Sequence, residues 1–257
     1  VPSKLFDLSG KVAIVTGGNG GIGLGMALEL ARAGAQIAIV ARNAEKSAAA
    51  AREVAEETGV KVLTVTADLG VPADVERAAQ EVQEGLGRTD ILINNAGINI
   101  RKPPEQLTID DWQSVLNINL TSAFLLSKAV YPAMKQAGGG KIINIGSMTS
   151  IFGASFAAAY AASKGGIVQL TKSLALAWAA DHIQVNAILP GWFDTELTYR
   201  AREQVQGLHE RVLSRIPHGR WGKPADIAGT ALWLASAASD YVTGIAVAVD
   251  GGYTSSL

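Results

Sequence analysis

Between Lys11 and Ala33 an apolar run, Lys11-Val12-Ala13-Ile14-Val15-Thr16, leads into Gly17-Gly18-Asn19-Gly20-Gly21-Ile22-Gly23 and then into a helical pattern from Leu24. A short buried strand that feeds a glycine turn and then a helix is the setting in which glycines mark a dinucleotide site. Glycine tolerates positive φ and lets an anion approach the main chain, and the first N–H groups of the helix hold that anion. Two registers fit. Gly18, Gly20 and Gly23 satisfy G-x-G-x-x-G, while Gly17, Gly21 and Gly23 satisfy G-x-x-x-G-x-G directly after a threonine. The candidate cofactor contacts in this turn are Gly17, Asn19, Gly21, Ile22 and Gly23.

The pattern repeats down the chain. Six further strands are expected at Gln36–Ala41, Lys61–Ala67, Asp90–Ile93, Gly140–Ile145, Ile183–Leu189 and Ile245–Val249, separated mostly by helical stretches. Such alternation implies a doubly wound α/β fold, a parallel sheet of about seven strands with helices on both faces, and the near-continuous apolar strands agree. A chain of 257 residues with 48% hydrophobic content suits one domain over 1–257.

Composition excludes several classes. A net charge of −1 gives no electrostatic reason to expect nucleic acid or an anionic membrane, and no apolar run approaches the roughly 18 residues of a spanning helix. With no cysteine there are no disulfides or thiolate metal sites, which makes a reducing cytoplasm the simplest compartment. Val1-Pro2-Ser3-Lys4 is not followed by a long apolar segment, so no secretory signal is expected. His182, His209 and His218 are too scattered for a metal constellation.

The second strand bears on which dinucleotide binds. A carboxylate about 20 positions past the glycines would bond the ribose 2′-OH of NAD, whereas a nearby arginine suits the 2′-phosphate of NADP. Here the strand closes Val40-Ala41-Arg42-Asn43, with Lys46 one turn later and no carboxylate at its end. Arg42 therefore favours NADP(H), with NAD(H) as the alternative.

Ligands of such sheets lie beyond the carboxyl ends of the strands, where Asn94, Ser147 and Pro190-Gly191 fall. Tyr160 is followed four positions later by Lys164 in an otherwise small-residue helix. Residues at i and i+4 share a helix face, and a nearby ammonium would ease ionisation of a phenol that otherwise titrates near ~10. Hydride can leave an alcohol carbon only if the hydroxyl proton departs too, so a positioned base is needed. Tyr160 is the candidate base, and Ser147 can bond the substrate oxygen as charge develops.

With Thr16-Gly17, Gly21, Gly23, Asn94-Asn95-Ala96-Gly97, Asn119, Ser147, Tyr160, Lys164, Pro190-Gly191 and Thr195 in this order, the chain resembles the short-chain dehydrogenase/reductase family over essentially its whole length. The resemblance implies a Rossmann-like domain, a tetramer, and NAD(H) or NADP(H) chemistry on alcohols and carbonyls. It implies that Asp68 and Leu69 approach the adenine, that Asn95, Ala96 and Gly97 line the cofactor cleft, and that Pro190, Gly191 and Thr195 reach the nicotinamide side. Lys164 would hold the nicotinamide ribose, and Asn119 would kink its helix around a water leading from Lys164. The segments Arg215–Gly222 and Leu234–Gly244 look like the branch that contains gluconate and 2-dehydro-3-deoxygluconate 5-dehydrogenases.

Residues 191–222 mix Trp192, Phe193, Tyr199 and Leu208 with many charges and are expected to form a lid over a small alcohol or carbonyl substrate. Arg101, just past the Asn-Asn-Ala-Gly loop, is a candidate partner for a substrate carboxylate, because arginine offers a bidentate fork. A solvated loop arginine is the competing reading. Reduction of a 3-oxoacyl thioester ranks lower, since no basic patch for an acyl carrier is evident. A cofactor-binding regulator without chemistry would be expected to lack Tyr160 or Lys164, and both are present.

Overall fold

The computed structural model describes residues 4–256, except for the side chain of Leu197; Val1–Ser3, on which the expectation of no secretory signal partly rests, lie outside them. Seven strands form one sheet: β1 (Val12–Thr16), β2 (Gln36–Ala41), β3 (Val62–Thr66), β4 (Ile91–Asn94), β5 (Gly140–Ile145), β6 (Ile183–Pro190) and β7 (Ala246–Val249). Their order is β3-β2-β1-β4-β5-β6-β7, and every neighbouring pair is parallel. Val15 pairs with Ile39 on one side and Ile93 on the other. The winding reverses between β1 and β4, which opens a crevice at their carboxyl ends.

β-Branched residues are frequent in these strands because the central ones are buried on both faces and the pleat packs such residues well. Successive side chains alternate between faces. Ala13 and Val15 join a core with Met26 and Leu30 of α1 (Gly21–Arg32), Val54 of α2 (Ala44–Thr58) and Ile227 and Leu234 further along. Val12 and Ile14 face the opposite core, with Val75 and Val82 of α3 (Pro72–Leu86) and with Leu126, Val130, Met134 and Leu174. Expected strand limits shift by about a residue. β4 begins at Ile91, although the Asp90 main chain already bonds Val12 and Lys141 on either side, and its carboxylate accepts from the Val12 N–H at 3.0 Å and from the Arg88 guanidinium. Lys61 falls outside β3, with its ammonium donating to the Gly85 carbonyl at 2.7 Å.

α4 (Ile109–Leu116) opens with a Thr108/Asp111 capping box and runs through a π turn at Asn117–Thr121 into α5 (Ser122–Gln136). After β5, a short turn leads to α6 (Ala158–Trp178), which crosses back to β6. Residues 192–222 leave the sheet and return on themselves, since the Asp194 N–H donates to the Gly222 carbonyl and the Gly222 N–H to the Trp192 carbonyl, both at 2.8 Å. This excursion carries α7 (Glu196–Gln204) and α8 (Leu208–Leu213). It has its own small core of Ala201, Leu208, Val212, Ile216 and Trp221. α9 (Pro224–Ala235) then packs beside α1 and precedes β7. No helix among the described residues is long and apolar enough to cross a membrane, and none of them form a metal-binding cluster.

Candidate active site

The glycine turn lies between β1 and α1, and its backbone selects between the two registers. Gly17 and Gly21 have φ of +62° and +54°, the left-handed region that favours glycine, whereas Gly20 is extended. A Cβ on Gly23 would lie 2.3 Å from the Gly17 carbonyl oxygen and 2.5 Å from Asn95 Nδ2. The register is therefore Gly17, Gly21, Gly23. α1 starts without a side-chain cap and without an acidic residue in its first turn, so its leading N–H groups and positive end face an anion unopposed. A cradle that any side chain would fill, at a free helix start, fits a dinucleotide pyrophosphate.

The turn is braced from β4. Asn95 Nδ2 donates to the Thr16 carbonyl at 2.9 Å, while the Asn95 and Ala96 N–H groups donate to Thr16 Oγ1 at 2.8 and 2.9 Å. Asn95 thus shapes the cleft by holding the turn. Asn19 Nδ2 donates to Ser47 Oγ at 3.1 Å, and Ile22 packs on the core beneath. Arg42 is exposed at the end of β2, beyond which Asn43 caps α2 by accepting from the Lys46 N–H at 2.8 Å. At the end of β3, Asp68 Oδ1 accepts from the Gly70 N–H at 2.9 Å. The Leu69 side chain is spent in the core. On the other side, the Gly191 N–H donates to the Val249 carbonyl at 2.9 Å, so Pro190-Gly191 ends β6 against β7. Thr195 starts α7 and lays its methyl 3.3 Å from where a Gly21 Cβ would stand.

Tyr160 and Lys164 share one face of α6, with Lys164 Nζ 5.6 Å from the phenol ring centre. Lys164 is only 4% exposed, and its ammonium donates to the Ile145 carbonyl at 2.7 Å. Asn119 Oδ1 accepts from the Ile98 N–H at 2.8 Å, and its Nδ2 donates to the Ile98 carbonyl at 2.9 Å and Ser163 Oγ at 3.0 Å. Ser163 in turn donates to the Tyr160 carbonyl at 2.7 Å. The π turn therefore delivers an amide that ties the loop after β4 to α6. A Cβ on Gly97 would stand 3.3 Å from Asn119 Oδ1 and 3.6 Å from Lys164 Nζ, so these three residues meet at one point.

The electrostatics correct one expectation. Burial pushes the Tyr160 phenol above its ordinary value and pushes Lys164 down to about 8, because both charged forms lose solvation. The groups that oppose the rise at Tyr160 are the Ser147 hydroxyl, by hydrogen bonding, and the Arg101 charge. Lys164 shares the helix face of Tyr160, as the spacing implies, and the Arg101 charge, from a loop distant in sequence, also favours ionisation of the phenol. Ser147 Oγ also accepts from the Thr149 N–H at 3.2 Å, fixing it at the end of β5.

Two contacts escaped the sequence reading. Asn94, Ser127, Asn144 and Thr171 form a buried polar chain joining β4, α5, β5 and α6, with Asn94 Nδ2 to Asn144 Oδ1 and Asn144 Nδ2 to Thr171 Oγ1 both at 2.9 Å. Asparagines inside apolar strands were its visible signal. Gln204 Oε1, at the end of α7, accepts from Arg101 Nη1 at 3.1 Å, and no local pattern announces a contact between residues so distant in the chain.

A family model described as enoyl-(acyl carrier protein) reductase matches residues 17–254. The 2-dehydro-3-deoxy-D-gluconate 5-dehydrogenase of Bacillus subtilis is 45% identical over 250 residues, covering 97% of each chain. Gluconate 5-dehydrogenase of Gluconobacter oxydans is 39% identical over 253 residues, covering 98% of each. The crystal structure of a gluconate 5-dehydrogenase from Burkholderia cenocepacia, in complex with NADP and tartrate, superposes with a TM-score of 0.93 at 42% identity, covering 99% of both. Matched in sequence and in fold along nearly its whole length, the chain belongs to the short-chain dehydrogenase/reductase family, NAD(P)-dependent oxidoreductases acting on CH–OH groups.

Proposed function

We propose that this enzyme interconverts a secondary alcohol and a ketone on a sugar acid, using NADP(H) in preference to NAD(H). The observation that carries the substrate reading is Arg101. It is the only arginine among the described residues that is withdrawn from solvent without a carboxylate partner, and its charge acts on the Tyr160 phenol. A half-buried guanidinium that lacks a counterion beside the reacting hydroxyl suits an anionic substrate. The relatives that act on gluconate or its dehydro-deoxy derivative, and the one bound to tartrate, support the same class.

When bound, the nicotinamide dinucleotide supplies the hydride donor or acceptor at the carbinol carbon. Gly17, Asn19, Gly21, Ile22 and Gly23 would hold its pyrophosphate end, Arg42 its 2′-phosphate, and Asp68 and Leu69 its adenine. Asn95, Ala96, Gly97, Pro190, Gly191 and Thr195 would line the rest of the cleft. Tyr160 gives a proton to the substrate oxygen in reduction and takes it back in oxidation. Ser147 bonds that oxygen as charge builds. Lys164 holds the nicotinamide ribose, and Asn119 positions the loop and helix around it. Burial favours the neutral phenol, the form that donates the proton in carbonyl reduction, while alcohol oxidation requires the phenolate. Residues 191–222 act as the lid. Reduction of a 3-oxoacyl thioester is not favoured, since its acyl chain gives Arg101 no anion to bind.

A panel of sugar acids, neutral polyols and ketones, assayed with both cofactors, tests this reading. Sugar acids with NADP(H) are expected to give the highest kcat/KM, and Arg42→Ala is expected to cost about tenfold in NADPH affinity, as for one charge-assisted bond, with NADH affinity little changed. Preference for neutral ketones, or equal losses for both cofactors, would count against it.

A homotetramer and a cytoplasmic location complete the proposal. Leu176 on α6 is 85% exposed, and Phe124 and Ile245 are also exposed, an apolar surface of the kind subunit interfaces bury. Light scattering after size exclusion is expected to give four chains, and a monomer would reject the assembly.

A further inference from the structure

Among the contacts of the excursion 192–222 with the rest of the molecule, two are made to cations. Glu196, the first residue of α7, pairs with Lys46 at 3.0 Å, beside Gly20 of the glycine turn. Gln204, the last residue of α7, accepts from Arg101 at 3.1 Å. The first contact is charged on both sides and the second is not. Six of the other ten arginines pair with carboxylates, and the four that do not, Arg42, Arg52, Arg211 and Arg215, are exposed. Arg202, the other arginine that is not exposed, is paired with Asp194, and the exposed Arg32, Arg77, Arg88, Arg200 and Arg220 all reach carboxylates. Only at Arg101 does an uncharged amide hold a partly buried guanidinium in place.

We propose that Gln204 is a specificity-determining residue, a neutral tether that aims Arg101 at the Tyr160 pocket while leaving its charge free for a substrate carboxylate. The proposal rests on the sugar-acid reading above and names the residue that makes it work. A guanidinium offers five N–H donors, and one acceptor on Nη1 fixes its direction while leaving donors for a bidentate carboxylate. A glutamate at 204 would be nearly isosteric and would supply the missing counterion from within the protein, so substrate would have to displace it. Because α7 also starts on the glycine turn, the same helix would carry the position of Arg101 over the cofactor cleft.

The test compares D-gluconate with its primary amide as substrates for the full-length enzyme, with kcat and KM resolved separately. Wild type is expected to prefer the acid, and Arg101→Gln to abolish that preference. Gln204→Glu is expected to raise KM for gluconate by about 10- to 100-fold, the range of a lost charge-assisted interaction, with a much smaller change for the amide and in kcat. Gln204→Met keeps the length without charge and is expected to raise the gluconate KM by only a few-fold. Retained dinucleotide affinity shows that each variant is folded. If wild type shows no acid preference and Arg101→Gln changes nothing, the sugar-acid reading falls and this proposal with it. If those two arms hold but Gln204→Glu keeps the wild-type acid-to-amide ratio, or raises both KM values equally, the tether proposal alone is overturned. Gln204→Met matching Gln204→Glu would also overturn it, since neutrality would then not matter.

Discussion

Tyr160→Phe is expected to lower kcat by about 10³-fold in both directions, within the 10²–10⁴ that a positioned proton donor contributes, with dinucleotide affinity little changed. The change removes one oxygen and keeps the ring, so α6 and its contacts with Asn119 through Ser163 stay in place. What is lost is the group that Ser147 and Arg101 act on. Steady-state assays paired with dinucleotide titration separate the two effects. Unchanged turnover would show that another group moves the proton, and an equal loss of cofactor affinity would show that Tyr160 acts mainly in binding.

Lys164→Met gives the second large effect, with opposite signs on activity and stability. Turnover is expected to fall by about 10²-fold, because the buried ammonium proposed to hold the nicotinamide ribose is gone. The wild-type lysine, held to about 8 by burial, carries its charge in the folded state at a cost. Going from 10.5 to about 8 corresponds to about 3 kcal/mol at about 1.36 kcal/mol per pKa unit. The sign follows from linkage. Between pH 8 and 10.5 the unfolded chain binds more protons at this residue than the folded one, so wild-type stability rises with pH across that window. Below pH 8 both states are protonated and the full penalty applies. Relative to Lys164→Met, wild type should therefore gain up to about 3 kcal/mol of stability as pH rises from neutral toward 10.5. Lys141, whose pKa burial also lowers, is common to both proteins and cancels in the comparison. Denaturant melts of the two proteins at several pH values measure this, and a difference that does not vary with pH would contradict a buried, charge-strained Lys164.

Much of this architecture was readable from the chain. β2 and β5 coincide with their expected limits because each is built around closely spaced Ile and Val residues and is bounded by residues that break the pattern. Seven alternating units leave few topologies, so the parallel sheet and the crevice beside β1 follow. The glycine register was not readable. Two spacings that share Gly23 fitted the letters, and the left-handed φ at Gly17 and Gly21 against the extended Gly20 distinguishes them. Nor did spacing give the protonation behaviour of Tyr160 and Lys164. Four residues along a helix set which face they share, while the direction of each pKa comes from burial beneath strands and loops distant in sequence. The Arg101–Gln204 contact was the least accessible, since it depends on how the 192–222 excursion folds back over the sheet.

The claim on which the mechanism turns is that the reacting proton passes through Tyr160, a phenol whose ionisation is made harder by burial and easier by Ser147 and Arg101. Single-turnover oxidation of a sugar acid at saturating NADP⁺, followed across pH in wild type and Tyr160→Phe, tests it most directly. Wild type is expected to speed up steadily into the alkaline range as the phenol ionises, and the phenylalanine variant to be slow with that rise gone. The same alkaline rise in both proteins would place the proton elsewhere and contradict the account.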